Sequence, residues 1–273
     1  LSSDNKLYLF NTRSNSFFNI HKKTALIQGK NVKKLIPLNK GITWVIFKDN
    51  SALRIIDSTP FQNYQYVKAK TKLLSWSNEI NNVACDSTGR EWILTDKAAF
   101  IFGSHANIKG KFKFVVSHAQ KTWLITESGK VVRYSKGKYF VLCKNAYKEK
   151  IRYTIFANDR LIIAGDNGVV SIDDANGQIH TLSTTPTDYL YKDRKNRLWT
   201  FGKSNSVELI NIKDVSRNVL TTAFRPCKEL MKNPQLIYEN AYGQIVLKPE
   251  QGELSYYDEQ QKALRPCIFY EDN

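Results

Sequence analysis

Few groups in this 273-residue chain could carry out chemistry, and they are scattered. Its histidines, His21, His105, His118 and His180, lie far apart, and none forms a helical metal-binding pair or stands beside a G-x-S-x-G nucleophile elbow. The cysteines, Cys85, Cys143, Cys227 and Cys267, lack the short spacings of a zinc or redox site, so no metal and no cofactor is expected. The segment AGDNG (residues 164–168) looks like a phosphate loop but lacks the G-K-[ST] ending, and it reads as a tight hairpin. Asp173 and Asp174 in SIDDANG lack the spaced acids and distal Glu of a calcium loop and read as a turn.

What remains is electrostatic. Lys and Arg number 41 against 25 Asp and Glu, a formal charge of +16, which favours an acidic partner. The basic residues stand singly, with no block of five or six, so nucleic acid is not the expected partner. Five of them, Lys48, Lys97, Lys130, Lys203 and Lys248, recur in comparable places, the connections from second to third strand of the repeating units described below, missing only from the unit around Ile162. If those places share one face, the five would focus a positive field suited to an anionic oligosaccharide, such as a sulfated or uronic-acid sugar. The plainer reading is that lysine is abundant here and favoured in exposed loops. Trp76, in KLLSWSNEI, breaks the pattern of the other tryptophans; it is either a ligand or partner contact, or buried under a loop.

The elements that would position these residues follow from a repeat. Four tryptophans sit in short apolar runs, TWVIF (Trp44), EWILT (Trp92), TWLIT (Trp123) and LWTF (Trp199), and the runs RLIIAG and QIVLKP put Ile162 and Ile245 in the same slot. The mean interval is about 40 residues, the period of a propeller blade. A shorter apolar stretch precedes each anchor, and an alternating run follows it: ALRII, AAFIF, KVVRY, GVVSI, SVELI and GELSY. Turn sequences such as DSTGR, ANDR and NAYG separate the first two runs, and a weaker fourth run closes most units. Each unit is therefore a four-stranded meander, and the class is an all-β propeller. A sandwich would also have regular strands but no such superperiod.

The units fall at roughly 32–68, 80–110, 112–143, 150–183, 187–224 and 235–270, preceded by a half blade over 1–22, within one domain of 1–273. Six and a half units suggest a six- or seven-bladed ring, or part of a larger region. Cys227 and Cys267, both in the tripeptide RPC, occupy non-equivalent positions and read as thiols rather than a disulfide. No apolar run is long enough for a membrane helix and the first residues carry no export signal, so any membrane attachment is expected through segments outside this chain.

The units DSTGREWILTDKAAFIF and DRKNRLWTFGKSNSVELI resemble the two-component regulator propeller repeat. The resemblance rests on Asp86, Gly89, Trp92 and Thr95, and on Asp193, Asn196, Trp199 and Gly202; the remaining units match in fewer positions. It implies the periplasmic sensor region of a hybrid histidine kinase of Bacteroidetes, attached to an inner-membrane receptor and often reading glycan breakdown products. It further implies a neighbouring propeller or β-sandwich domain, with the kinase elsewhere, and a homodimer as one assembly. The expectation is a non-catalytic sensor or scaffold propeller. The alternative is a protein-interaction propeller with no small ligand, and a third reading is a propeller glycosidase or lyase, whose clustered catalytic groups the sequence does not place.

Overall fold

In a computed structural model, the described residues are 7–11, 16–19, 27–38, 41–56, 64–68, 79–105, 107–202, 207–212, 216–219, 234–249 and 254–267. A hairpin of β1 (Tyr8–Asn11) and β2 (Ser16–Asn19) comes first. Six four-stranded antiparallel sheets follow, each with its strands in chain order from one edge to the other. The first holds β3 (Val32–Leu38), β4 (Ile42–Phe47), β5 (Ser51–Ile56) and β6 (Tyr64–Lys68). The second holds β7 (Ile80–Cys85), β8 (Glu91–Thr95), β9 (Ala98–Ile101) and β10 (Asn107–Lys109). The third holds β11 (Phe112–His118), β12 (Lys121–Thr126), β13 (Val131–Ser135) and β14 (Lys138–Cys143). The fourth holds β15 (Ile151–Ala157), β16 (Arg160–Gly165), β17 (Gly168–Asp173) and β18 (Ile179–Ser183). The fifth holds β19 (Tyr189–Lys192), β20 (Leu198–Phe201), β21 (Val207–Asn211) and β22 (Ser216–Val219). The sixth holds β23 (Pro234–Glu239), β24 (Ile245–Pro249), β25 (Ser255–Asp258) and β26 (Ala263–Pro266). Each of the six second strands contains one of the anchor residues, and β10, the fourth strand of the second sheet, is only three residues long.

Backbone contacts group the residues into two compact units, Leu1–Thr126 with Arg133–Tyr139, and Glu127–Val132 with Phe140–Asn273. In the first unit, Ile36, Trp44, Ile46 and Ala52 of the first sheet pack on Ile80, Val83, Ile93, Ala98 and Phe100 of the second. The opposite face of β4, Val45 and Phe47, packs with Leu7 and Ile27 from the N-terminal segment. In the second unit, Ile162 and Ala164 of β16 face Leu190, Leu198 and Ile210 of the fifth sheet. Trp199 and Phe201 of β20 face Ile237, Ile245 and Leu247 of the sixth. A second strand covered on both faces needs apolar residues at every position, which is why these runs do not alternate.

All four anchor tryptophans are fully buried. The sixth anchor differs from the sequence expectation by one residue. Pairing sets Val246 opposite Tyr238, as Trp199 lies opposite Tyr191, whereas Ile245 turns back toward Trp199. A shift of one residue exchanges the faces of a strand, so Val246 and not Ile245 occupies the slot. Five of the six first strands also carry a register shift near their start, at Val32/Lys34, Ile80/Asn82, Phe112/Phe114, Ile151/Tyr153 and Pro234/Leu236. Such bulges bend a strand and strengthen its twist.

A carboxylate clamp joins consecutive sheets. Asp86 opens the β7–β8 turn, where its Oδ1 accepts from Thr88 N (3.0 Å), Thr88 Oγ1 (2.7 Å) and Arg90 N (3.0 Å). Its Oδ2 accepts from Arg90 Nε (2.7 Å), the Trp92 indole (3.0 Å) and, in the next sheet, Thr122 Oγ1 (3.2 Å). The Trp92 ring meets Tyr134 of the third sheet edge to face at 5.1 Å, and the Arg90 guanidinium lies 5.0 Å from the Tyr134 ring centre. Asp193, Arg197, Trp199 and Tyr257 repeat this, with the indole 2.9 Å from Asp193 Oδ2 and the rings 5.0 Å apart. At Trp44 the roles are redistributed: the indole donates to Glu91 Oε2 of the second sheet at 2.6 Å, Arg54 of β5 pairs with that carboxylate, and Phe102 supplies the ring.

Burial works against the Asp86 carboxylate, yet its hydrogen bonds from Trp92, Thr88 and Arg90 outweigh it and bring the pKa down to about 2. A carboxyl depressed in the folded state stabilises above its unfolded value of 3.8, and that contribution is lost as pH falls toward about 2. The shift corresponds to about 2 kcal/mol. Urea titrations should therefore show Asp86→Asn less stable than the parent at neutral pH, with the gap closing between about pH 4 and pH 2. Trp92→Ala or Trp199→Ala should cost about 3–5 kcal/mol as a large-to-small core change. Parent-like unfolding midpoints in either tryptophan variant would refute the clamp's structural role.

Candidate ligand-binding site

The clamp fixes the turns between first and second strands, and the β-turn residues follow from it. Gly89 (φ 86°) and Asn196 (φ 60°) hold the same left-handed position in the two Asp-headed turns, which the glycine accepts freely and asparagine tolerates. At the other end of the second strand, Thr95 Oγ1 accepts from Ala98 N at 3.0 Å and donates to Ala98 O at 2.9 Å, closing the β8–β9 turn. Gly202 stands there in the fifth sheet because a Cβ would meet the Pro186 carbonyl oxygen at 1.9 Å.

The lysines expected as a site occupy this second-to-third-strand side only in part. Lys48 and Lys97 are exposed in the β4–β5 and β8–β9 turns. Their backbones are tied down, Lys48 N donating to Asn31 O at 2.9 Å and Lys97 O accepting from Gly110 N at 2.7 Å. Lys130 is half-buried, because Ala146 N donates to the neighbouring Gly129 carbonyl at 2.8 Å and brings the next connection over the turn. Lys248 is exposed but lies within β24 itself rather than in a connection. Lys203 and Trp76 fall outside the described residues, as does Cys227. Cys143 and Cys267 are thiols, and burial pushes Cys143 up to about 11. Asp166 and Asn167 form the two-residue β16–β17 hairpin, and Asp173 heads a turn by accepting from Ala175 N at 2.8 Å. Among the described residues, no three His, Cys, Asp or Glu side chains gather as metal ligands.

The sequence did not point to the cavity that the fifth and sixth sheets build. It measures about 550 Å³ and lies between the β19–β20 turn (Arg194, Lys195), the β23–β24 turn (Tyr242, Gly243, Gln244), the strand residues Glu239, Tyr256, Tyr257 and Asp258, and Glu259 of the β25–β26 turn. That volume is in the range of small-ligand sites. Tyr242 stands at its edge with 95% of its surface exposed, far from the usual state of a large aromatic residue.

Ion pairs set the walls. Glu239 Oε2 accepts from the Arg194 backbone N–H at 2.9 Å, with the Arg194 guanidinium 3.8 Å away. Glu259 receives Lys195 Nζ at 2.9 Å and Arg197 Nη1 at 2.8 Å. Burial opposes the Glu259 charge, but the Arg197 and Lys195 hydrogen bonds prevail and hold its carboxyl below the ordinary value. Asp258 pairs with Arg265 Nε at 2.9 Å while its Oδ1 caps the turn through Gln260 N and Gln261 N. Asn240 stands where Asp86 and Asp193 stand in their turns, and its Oδ1 accepts from Tyr242 N at 3.0 Å and Gln244 N at 2.9 Å. Such a wall of balanced charges, amides and tyrosines can hold a polar ring compound. The signal that could have found it is Tyr242 itself, a large aromatic residue in the turn NAYG.

No protein-family model matches the chain, and no curated protein does. Solved structures do match. The extracellular domain of the putative one component system BT4673 from B. thetaiotaomicron is similar over 90% of this chain and 37% of its own length, at 16% identity and a TM-score of 0.55. YCF48 from Cyanidioschyzon merolae is similar over 86% of this chain and 84% of its own, at 10% identity and a TM-score of 0.54. Apo AztD from Citrobacter koseri is similar over 87% and 72%, at 10% identity and a TM-score of 0.57. The fold is a β-propeller. The four-stranded sheets are its blades, and the chain spans little more than a third of the BT4673 domain it resembles. At these identities the likeness carries the fold alone.

Asn240→Ala should remove two turn-capping bonds below Tyr242 and lower stability by about 1 kcal/mol, read as an earlier urea midpoint. An unchanged midpoint would mean that the blade-six turn holds its shape without its cap.

Proposed function

We propose that the chain is a non-catalytic sensor or scaffold propeller of a periplasmic signalling receptor, reading a glycan breakdown product. The observation that carries this reading is the cavity of about 550 Å³ with Tyr242 at its lip. A sensor needs a reversible site that binds without converting, and a concave wall of aromatic, amide and paired ionic groups meets that need. Two further observations support it: the Asp–Trp turns resemble those of the two-component regulator propeller repeat, and the BT4673 extracellular domain has a similar fold. In this reading the chain works beside a neighbouring propeller or β-sandwich domain, alone or as a homodimer, with membrane attachment through other segments. The exposed Lys48 and Lys97, in turns of the first and second sheets, are a second candidate for contacts with an anionic sugar.

A second reading rests on β14, where Tyr139, Phe140 and Val141 are 57%, 51% and 47% exposed in succession along an edge strand. Consecutive exposed apolar residues on a sheet edge suit a protein partner.

Thermal unfolding against a panel of oligosaccharides separates the two. A cognate sugar at 100 times its Kd adds about 2.7 kcal/mol, so a rise of several degrees in Tm is expected. No shift with any sugar, together with a complex with a neighbouring receptor domain that Phe140→Asp abolishes, would replace the sensor reading with the interaction reading.

A further inference from the structure

Blade six departs from the clamp. At the positions held by Asp193, Arg197 and Trp199 in blade five it has Asn240, Gln244 and Val246, so an uncharged turn replaces an ionic one. Asn240 still caps the turn, and its Nδ2 donates to Gln244 Oε1 at 3.2 Å, but no guanidinium is drawn inward. The turn instead projects Tyr242 into solvent beside the cavity.

The charge on the cavity wall is spoken for. Glu259 is held by Lys195 and Arg197, Asp258 by Arg265, and Glu239 by the Arg194 backbone with its guanidinium nearby. An anion entering there would have to compete with Glu259 and Asp258 for Lys195, Arg197 and Arg265 and would meet Glu239 beside the looser Arg194, and a cation would meet carboxylates already paired. A neutral molecule faces neither cost, since exposed pairs need not be broken to admit it. An exposed tyrosine ring offers an apolar face with a polar tip, which matches the C–H face and hydroxyl rim of a sugar ring. Gln244 and the Tyr256 side chain supply groups that can exchange hydrogen bonds with hydroxyls.

We infer that the blade-six cavity binds a neutral oligosaccharide, with Tyr242 stacking on a sugar ring and Gln244 bonding its hydroxyls. This rests on the ligand-sensing reading and assigns its ligand class, placing it apart from the lysine-bearing turns.

Isothermal titration calorimetry on the full chain tests it with neutral trisaccharides (maltotriose, cellotriose, xylotriose, mannotriose) and acidic ones (trigalacturonate, a sulfated disaccharide). The variants are Tyr242→Ala, Gln244→Ala and the double variant Lys48→Ala with Lys97→Ala. At least one neutral sugar should bind the parent, with affinity reduced about tenfold or more in Tyr242→Ala. That affinity should be unchanged in the lysine variant and from about 0.05 M to about 0.5 M salt. Tyr242 is almost wholly exposed, so its variant should melt with the parent, which separates lost contact from lost fold. Neutral-sugar binding that Tyr242→Ala leaves intact would overturn the assignment of this cavity. Binding of acidic sugars alone, lost in the lysine variant or in salt, would overturn the inference while keeping the sensor reading. Binding of no sugar at all would overturn both.

Discussion

A buried indole N–H has to find an acceptor, and in this protein that requirement organises the joints between sheets. Each anchor tryptophan lies in a strand covered on both faces, where an unpaired donor would cost about 1–3 kcal/mol. At Trp92 and Trp199 the acceptor is an aspartate at the head of the preceding turn, and the same carboxylate gathers the turn's backbone and its arginine. The arginine then lies over the aromatic ring that the next blade sets edge-on to the indole. One anionic group thus closes a turn, satisfies an indole and orients a cation that touches the following blade. Trp44 shows that the chemistry matters more than the position, since Glu91 and Arg54 rebuild the arrangement from other strands.

The clamp also explains where the cavity arises. In blade five Arg197 is shared between Asp193 inside and Glu259 of blade six, so the clamp reaches a carboxylate that lines the cavity. Blade six has no second clamp of its own, and its turn is held by an amide rather than a carboxylate. A turn without a buried ion pair has no arginine to bring down onto a neighbour. Its exposed residue can then serve binding rather than packing.

Most of the fold was legible because its determinants are local and periodic. Trp44, Trp92, Trp123 and Trp199 mark the second strands, the alternating runs mark the third, and the turn residues mark the connections. The register of blade six was misread by one residue because Ile245 and Val246 are both apolar and both buried, so only cross-strand pairing tells them apart. The bulges at the first strands were invisible for a similar reason: an extra residue leaves composition unchanged. The cavity was not legible, since Arg194, Glu239, Tyr242 and Glu259 come from separate turns that only blade packing unites. Lysine recurrence was a real feature of the sequence: Lys48 and Lys97 stand in second-to-third-strand turns, whereas Lys248 is in a strand.

Pairing divides the protein's charge into two kinds. Acids are the scarcer partner, and those at the joints and the cavity, Asp86, Glu91, Asp193, Asp258 and Glu259, each hold a basic side chain. The surplus of +16 must therefore reside on side chains such as Lys48 and Lys97 that project into water. There it acts over about a Debye length and weakens with salt, drawing anions toward the molecule without fixing their geometry. The paired groups act oppositely: they are short-ranged, directional and set by packing. The long-range field and the short-range pairing of this propeller consequently belong to different residues, and changing one set leaves the other in place.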